Sequence, residues 1–463
     1  MMPQQRLTDA AVRFGGTLLN PDCHFDQVSI NSRTINEGDL FVALVGDHFD
    51  AHQFLPQAAA VASGLVVSVA DKTLPLPQWV VEDTTVALGQ LAQLRRETFE
   101  GSVIAITGST GKTSVKELTA SILRHCGSVH ATAGNLNNHI GVPLTLLSMD
   151  IDAEFAVVEM GASAGGEIGY LCSIATPDIA LINNVQSSHI EGFGSVEAVA
   201  AAKGEIYSGL KSAGIAVLNL DQPWCDSWRQ LIDDKPCLTF SASNASADIS
   251  ATDIKVMDNG CCSFVLNVNL MSEQPALQQA IELSVPGSHN VENALAASSC
   301  ALAAGANLKQ IADGLALVSP IAGRLQLKPL ANGSAVIDDS YNASPSSFRA
   351  AIDVLVNRQG RTVLVMGDMG ELGDDSVNLH SQVGMYAQQA GIDALYTVGD
   401  LSAHACQIFA GNHCATKELL ATALEQELET ADSENNPVTF LVKGSRSAGM
   451  EQIVEHLITR GDT

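Results

Sequence analysis

The segment Thr107-Gly-Ser-Thr-Gly-Lys-Thr113 combines residue types that together can bind a phosphate group. Gly108 and Gly111 carry no Cβ, so backbone N–H groups can turn toward an anion. Lys112 adds a positive charge, and Thr113 offers a hydroxyl group that suits a Mg²⁺ ion bound with the phosphates. Such loops work between a strand and a helix N-terminus, whose dipole also favours an anion. The segment therefore predicts a nucleotide-phosphate loop, and a chance glycine turn with an exposed lysine is the alternative.

Two further residues could complete a metal site near this loop. Glu159 ends the apolar run 156–158, where a carboxylate is costly unless it binds something. If that run is a strand beside the one before the phosphate loop, Glu159 lies at the sheet edge where parallel sheets bind ligands. His189 follows the apolar run 178–183 and would lie at the same edge. The pair predicts Mg²⁺ ligands; a salt bridge at a strand end and an ordinary loop histidine are the alternatives.

The apolar runs of the chain predict a framework that would bring these residues together. Short apolar runs alternate with helical segments from Ser102 to about Pro320, which predicts a mostly parallel sheet covered on both faces. A second alternation begins at Arg324, and in it Ser346 is the expected N-cap of a helix with apolar residues 348, 351, 352 and 355 on one face. The strand candidates are 103–107, 155–160, 178–183, 215–219, 335–339, 362–366, 394–398 and 438–442, with 262–268 and 281–285 in an antiparallel insertion.

The fold class predicted from these patterns is α/β, with three domains in 463 residues. Residues 1–98 form a small α/β N-terminal domain that ends in a helix from Thr84 to Phe99. Residues 99–320 form a central domain with the phosphate loop and a mostly parallel sheet. Residues 321–463 form a C-terminal, Rossmann-like doubly wound domain.

Composition excludes several classes of protein. Lys and Arg number 24 and Asp and Glu 51, which gives a net charge of −27. This charge disfavours a nucleic-acid binder, which needs a basic face, and also adhesion to an anionic membrane. The first residues lack the apolar core of a signal peptide, and no apolar run approaches the ~20 residues of a membrane-spanning helix. The ten cysteines form no CxxC pair, which is typical of reduced thiols. We therefore expect a cytoplasmic protein. A monomer is expected as well, although no feature of the composition bears on the oligomeric state.

Eight segments, in order along the chain, resemble motifs of the Mur ligases, the ATP-dependent amide-forming enzymes of peptidoglycan precursor synthesis. These segments are TGSTGKTSVKEL (107–118), GNLNNHIGVP (134–143), VEMG (158–161), SH (188–189), AKGE (202–205), PGSHNVEN (286–293), AGR (322–324) and DDSYNASP (338–345). Within the family, DDSYNASP, GDMGELG (367–373) and the N-terminal Ser32-Arg33 region resemble the branch that adds D-alanyl-D-alanine to a UDP-N-acetylmuramoyl-tripeptide.

The resemblance implies ATP and Mg²⁺ as cofactors and assigns a role to each site residue. Lys112, Glu159, His189 and Lys203 would be catalytic. The implied nucleotide contacts are Thr107, Gly108, Ser109, Thr110, Gly111, Lys112, Thr113, Asn293 at adenine, Arg324 at the phosphates and Asp339 at ribose. The implied metal ligands are Thr113, Glu159, His189 and Lys203, a lysine that many family members carbamylate. The implied substrate residues are Ser32 and Arg33 for the uridine nucleotide, Asn137 and Asn138 in a substrate-facing loop, and Lys443 and Arg446 for the dipeptide.

Without the resemblance, several of these residues have simpler interpretations. Lys203 could be a solvated helix lysine, Asn293 an ordinary polar helix residue, and Arg324 part of a surface ion pair. Lys443 and Arg446 could form a solvated basic turn.

The resemblance also implies a reaction in two steps. The peptide carboxylate attacks the γ-phosphate of ATP to give an acyl phosphate and ADP, and the amine of the dipeptide then displaces phosphate. Another Mur-type or folylpolyglutamate-like amide ligase is one alternative. A nucleotide-dependent switch without catalysis is the other, although Glu159, His189 and Lys203 have no evident role in it.

Overall fold

The computed structural model describes residues 5–186, 190–257, 259–270 and 276–461. Three main sheets follow one another along the chain, with five, nine and six strands. Among the described residues, no helix has the length and apolar character that crossing a membrane requires.

The first part of the chain forms a small sheet with the strand order β2-β9-β8-β5-β4. Its strands are short, and β5, for example, spans only Leu40–Val42. The elements are β1 Gln5–Arg6, α1 Leu7–Phe14, β2 Thr17–Leu19, β3 His24–Phe25, β4 Val28–Ser29, β5 Leu40–Val42, β6 Val45–Gly46, β7 Phe49–Asp50, α2 Leu55–Ala58, β8 Gly64–Val67, β9 Gln78–Val80 and α3 Thr84–Glu97.

Helix α3 joins the first sheet to the central part of the chain. Asp83 caps it by accepting hydrogen bonds from the backbone N–H groups of Thr85 and Val86. At its other end, the guanidinium of Arg95 donates to the carbonyl of Met149, and buried apolar residues of α3 belong to one core with those of both sheets. The helix therefore packs on both parts, and the domain boundary at residue 98 stays a prediction.

The central sheet has the order β11-β12-β10-β13-β14-β15-β16-β17-β18 and is parallel as far as β16, with an antiparallel hairpin pair at its end. This confirms both the parallel sheet and the antiparallel insertion. The elements are β10 Ser102–Thr107, α4 Lys112–Leu123, β11 Val129–Ala131, α5 Gly141–Leu147, β12 Phe155–Glu159, α6 Glu167–Ala175, β13 Ile179–Ile182, α7 Ile190–Phe193, α8 Val196–Ser208, β14 Ile215–Asn219, α9 Cys225–Ile232, β15 Cys237–Ser241, β16 Ile249–Val256, β17 Cys261–Val268, β18 Leu277–Pro286, α10 His289–Ala303 and α11 Leu308–Ala316.

The apolar interior of strand β10 follows from burial on both faces of the central sheet. Val103 and Ala105 pack into the core on one face of the sheet, and Ile104 and Ile106 pack into the core on the other. Because side chains alternate between faces and both faces are covered, residues 103–106 are all apolar, and the polar residues Ser102 and Thr107 stand at the two ends of the strand. Helices α4, α10 and α11 cover the face that carries Ile104 and Ile106.

The C-terminal sheet has the order β19-β20-β24-β21-β22-β23 and is parallel except between β19 and β20. Separate cores lie on its two faces, as expected for a doubly wound sheet. The elements are β19 Gln326–Pro329, β20 Ala335–Asp339, α12 Pro345–Val356, β21 Arg361–Gly367, α13 Ser376–Ala390, β22 Ala394–Val398, α14 Ser402–Phe409, β23 Asn412–Cys414, α15 Lys417–Glu434, β24 Val438–Lys443 and α16 Glu451–Gly461.

The predicted N-cap of α12 is wrong. Ser344, not Ser346, caps the helix and forms a capping box with Ser347. Pro345 explains the difference, because proline suits the first helical position and keeps the preceding residue extended. Ser346 therefore lies inside the first turn, and its hydroxyl contacts the central part of the chain.

Candidate active site

The phosphate loop lies between β10 and α4, as the sequence predicts. Gly111 is the N-cap of α4 and has a left-handed φ of 73°. A Cβ at this position would stand 2.6 Å from Oδ1 of Asn293 and 2.7 Å from Nδ2 of Asn183. Both the backbone conformation and the lack of space therefore require glycine here.

The loop after β13 holds the phosphate loop in place. The backbone N–H of Ser109 donates to the carbonyl of Asn184 at 2.9 Å, and the N–H of Thr110 donates to Oδ1 of Asn184 at 3.0 Å. The N–H of Gln186 donates to Oγ of Ser109 at 2.9 Å. On the opposite side, the hydroxyl of Thr107 donates to the carbonyl of Met160, at the end of β12. These contacts fix the shape of the loop.

Lys112 lies at the start of α4 with its ammonium group over the loop. Its Nζ donates to the carbonyls of Gly108 at 2.8 Å and Ser109 at 3.2 Å. Burial lowers the pKa of Lys112, Glu159 opposes that shift, and Arg324 adds to it. The charge of Lys112 is therefore close enough to those of Glu159 and Arg324 to interact with both.

Arg324 reaches the phosphate loop from the start of the C-terminal part. Its Nη2 donates to Oγ1 of Thr113 at 3.0 Å, and its guanidinium lies 4.4 Å from the centre of the Tyr341 ring. Arginine suits this position because its planar cation stacks on an aromatic ring and still donates in the plane. Among the described residues, Arg324 therefore contacts the phosphate loop and Tyr341 and does not form the surface ion pair that was its alternative interpretation.

Glu159 lies at the end of β12, directly beside the phosphate-loop strand. In the parallel pairing of β10 with β12, Glu159 is opposite Ile106, which confirms the predicted neighbourhood. Its side chain is 2% exposed, and Oε1 accepts from Nδ2 of Asn137 at 2.7 Å. Oε2 is buried with no hydrogen-bond partner among the residues described. A buried carboxylate oxygen of this kind needs a donor or a cation, so the site fits a Mg²⁺ ion.

Lys203 is a buried residue of α8 and not a solvated helix lysine. It is 1% exposed, and burial, with a further contribution from Lys112, lowers its pKa to about 7. A substantial fraction of its amine is therefore neutral near pH 7. A neutral amine is the form that reacts with carbon dioxide to give a carbamate.

His189, the remaining predicted metal ligand, lies outside the described residues. In the parts of the chain that the structure does describe, no three His, Cys, Asp or Glu side chains come together as a metal site. The role of His189 stays a prediction.

A cavity of about 650 Å³ opens between the phosphate loop and the C-terminal sheet. Its volume lies within the ~300–1,000 Å³ range of small-molecule sites. Its wall includes the phosphate loop, the first turns of α10 with His289 and Asn293, the link at Arg324, the turn that follows Asp339 and the segment that begins at Lys443. Eight of the ten predicted nucleotide residues line this cavity, and the other two, Thr107 and Gly108, are not among its lining residues.

Asn293 and Asp339 line this cavity, but both already have protein partners. Oδ1 of Asn293 accepts from Nδ2 of Asn183 at 3.0 Å, and its Nδ2 donates to Asn290 at 2.8 Å. Asp339 forms an ion pair with Lys443 at 2.5 Å, and burial raises the pKa of Asp339 while Lys443 opposes the rise. Asn293 therefore also shapes the phosphate loop, and Lys443 is not a free cation.

The other predicted substrate residues lie on loops. Ser32 and the exposed Arg33 lie in a turn after β4, where Ser32 contacts Gln57. Oδ1 of Asn138 accepts from the backbone N–H groups of Ile140 and Gly141, so this side chain caps the start of α5. The side chain of Arg446 is 68% exposed and lies 3.4 Å from Glu451.

Sequence reasoning missed the residues that brace the loop. Asn183, Asn184 and Gln186 have no role in the sequence-based assignment, and Tyr341 enters it only as part of a motif. The sequence does hold a signal for them, since three amide side chains fall within four positions at the end of a buried strand. Such side chains lie at the carboxyl edge of the sheet, where they can contact the phosphate loop.

Comparisons with known proteins agree with this geometry. Residues 106–301 match the Mur ligase middle domain, and residues 323–446 match the domain described as "Mur ligase, glutamate ligase domain". The chain is 43% identical over 458 residues to the UDP-N-acetylmuramoyl-tripeptide–D-alanyl-D-alanine ligase of Escherichia coli strain K12, covering 98% of each chain.

Solved structures show the same likeness. A crystal structure of MurF from Acinetobacter baumannii is similar with a TM-score of 0.91 and 33% identity over 99% of each chain. The MurF ligase of Thermotoga maritima in complex with ADP is similar with a TM-score of 0.81 and 27% identity, over 94% of this chain and 98% of that one.

Proposed function

This chain belongs to the Mur ligase family, and from that premise we propose that it joins D-alanyl-D-alanine to a UDP-N-acetylmuramoyl-tripeptide, with ATP as the phosphoryl donor. The products are the UDP-N-acetylmuramoyl-pentapeptide, ADP and phosphate. One observation supports the chemistry above the others: a rigid phosphate loop with Lys112 lies directly beside Glu159, whose buried Oε2 has no hydrogen-bond partner among the described residues. Nucleotide switches also hold Mg²⁺ with a carboxylate at this place. The match to the Mur ligase domains and the buried Lys203 favour a ligase over a switch.

The phosphate loop and Arg324 bind the triphosphate. Backbone N–H groups at the start of α4 and the ammonium of Lys112 face the anion, so negative charge that develops during transfer meets fixed positive groups. Arg324 donates to the hydroxyl of Thr113, and its other donors can serve the phosphates when a nucleotide fills the cavity. Asp339 and Asn293 lie in the cavity wall where the ribose and the adenine would lie.

Thr113 and Glu159 are the residues that would hold Mg²⁺, which when bound supplies charge neutralisation at the phosphates. Asn137 donates to one oxygen of Glu159 and so fixes the direction of the other. His189 and a carbamylated Lys203 would contribute further ligands. The burial of Lys203 and its pKa of about 7 support carbamylation, because an ammonium ion cannot form a carbamate.

The substrates would approach from both sides of the nucleotide. The turn with Ser32 and Arg33 would bind the uridine nucleotide, and the loop with Asn137 and Asn138 would face the peptide. Because Lys443 is paired with Asp339, Arg446 is the better candidate for the carboxylate of the dipeptide. We also propose that the enzyme acts as a monomer.

The two steps balance in atoms and charge. A carboxylate oxygen of the tripeptide bonds to the γ-phosphorus as the bond to ADP breaks. The amine of the dipeptide then attacks the acyl carbon, loses a proton and displaces phosphate. Closure of the C-terminal sheet over the cavity would exclude water, which would otherwise hydrolyse the acyl phosphate.

A phosphate-release assay tests the proposal. Release should require UDP-N-acetylmuramoyl-tripeptide and D-alanyl-D-alanine together, and mass spectrometry should find the pentapeptide. Lys112→Ala should abolish release, whereas Lys309→Ala, at a side chain that is 82% exposed, should not change it. Basal ATP hydrolysis that ignores both substrates would instead favour the nucleotide switch.

A further inference from the structure

Lys443 is buried at a position where its charge is already paired within the protein. It is the last residue of β24 and stands opposite Asp339 in the parallel pairing with β20. The residue is 2% exposed, and its Nζ contacts Oδ2 of Asp339 at 2.5 Å and donates to the carbonyl of Asn342 at 2.9 Å. The ring of Phe348 lies 5.6 Å from the same ammonium. Two of the three N–H donors of Lys443 are therefore used within the protein, and its charge is paired with that of Asp339.

The second carboxylate oxygen of Asp339 holds the link, residues 323–325, between the central and C-terminal sheets. Oδ1 accepts from the backbone N–H of Leu325 at 3.1 Å. Leu325 has a left-handed φ of 48°, which is unfavourable for a residue with a Cβ, and Gly323 has a φ of 68°. The carbonyl of Gly323 accepts from the N–H of Tyr341 at 3.1 Å. This link therefore depends on contacts from the C-terminal sheet for its shape.

Arg324 lies between Gly323 and Leu325 in the chain, so the backbone conformation of these two residues determines the direction of the Arg324 side chain. The guanidinium stacks on Tyr341 and donates to Thr113 in the phosphate loop. A continuous set of contacts runs from Lys443 through Asp339 and Leu325 to Arg324, and from there to the phosphate loop.

We propose that Lys443 is a positioning residue for the nucleotide: it fixes Asp339, which holds the backbone at Leu325 and so directs Arg324 to the phosphate loop. This inference rests on the proposed function, because it assumes that a nucleotide binds in this cavity. It assigns Lys443 a role other than the dipeptide contact that the sequence predicts.

The test compares nucleotide and dipeptide affinity in Lys443→Met, a variant of similar length without the charge. We expect the Kd for ADP, measured by calorimetry, and the KM for ATP to rise by at least about ten-fold, the value of one charge-assisted hydrogen bond. The KM for D-alanyl-D-alanine should change by less than about two-fold. Lys328→Met is the matched control: it breaks the neighbouring ion pair with Asp338, which does not contact Arg324, and should leave the Kd for ADP unchanged.

The reverse pattern, a raised dipeptide KM with an unchanged Kd for ADP, would overturn the proposal. Lys443→Met leaves a buried carboxylate without its partner and can fail to fold. The double variant with Asp339→Asn leaves no buried charge, and adding Lys443→Met to Asp339→Asn should weaken ADP binding by less than about two-fold further. An additive loss, or a raised dipeptide KM in the double variant, would show that Lys443 does not act through Asp339.

The outcome is separable from that of the proposed function. If the wild-type protein neither binds ADP nor ligates the two substrates, the proposed function fails. If the wild-type protein does both and Lys443→Met binds ADP normally, only the positioning role fails.

Discussion

Replacing Gly111 by alanine should damage the phosphate loop through two separate effects. The φ of 73° is unfavourable for alanine by about 1–2 kcal/mol. The new Cβ would lie 2.6 Å from Asn293 and 2.7 Å from Asn183, and such crowding costs about 1–3 kcal/mol. We therefore expect a loss of about 2–5 kcal/mol in stability and a loss of ADP binding, because both amides shape the loop.

Two other glycines separate the effects. Gly134 has a φ of 54°, and a Cβ added there would have no other atom within 4 Å, so Gly134→Ala should cost only the backbone part, about 1–2 kcal/mol. Gly165 has an equally open position without a positive φ, so Gly165→Ala should be neutral or stabilising by up to about 1 kcal/mol.

Urea unfolding followed by tryptophan fluorescence measures these differences, because Trp224 and Trp228 report on the central sheet. Calorimetry with ADP measures the effect on binding. Equal stability of Gly111→Ala and Gly165→Ala, with normal ADP affinity, would show that the phosphate loop does not require glycine at position 111.

Three further substitutions probe the neighbouring groups. Glu159→Gln keeps the size of the side chain but removes its charge, so the Mg²⁺ concentration needed for half-maximal phosphate release should rise about ten-fold or more; an unchanged requirement would exclude a metal role. Lys203→Ala should be inactive and partly restored by bicarbonate or short carboxylic acids, and full activity without them would dismiss carbamylation. Arg324→Ala should weaken ADP binding about ten-fold. The control Arg349→Ala loses a similar stacking contact on the exposed side of α12 and should bind ADP normally. Equal ADP affinities of the two variants would exclude a role of Arg324 in nucleotide binding.

The sequence predicts those parts of the fold that depend on local patterns. The apolar runs of the central sheet are continuous because both faces are buried, so their strands could be found without a structure. The neighbourhood of Glu159 and the phosphate loop follows from the same rule, since both end parallel strands at one edge. The cap of α12 is misplaced in the prediction because the choice between Ser344 and Ser346 depends on Pro345, which fixes the first helical position.

The partners of charged side chains could not be predicted in the same way. Lys443 and Asp339 are 104 residues apart, and only the pairing of β20 with β24 brings them together. Likewise, Thr113 and Arg324 are 211 residues apart and meet across two sheets. Such contacts depend on strand order and on how the sheets pack, which residue spacing alone does not encode.

Transfer of labelled oxygen shows whether the peptide carboxylate is activated as an acyl phosphate. The terminal carboxylate of the tripeptide would be enriched in ¹⁸O and ligated with D-alanyl-D-alanine and ATP, and the released phosphate would be analysed by mass spectrometry. Because the carboxylate attacks the γ-phosphorus and its C–O bond later breaks, we predict one ¹⁸O atom in each phosphate and ADP as the nucleotide product. Unlabelled phosphate, or AMP with pyrophosphate, would contradict the account.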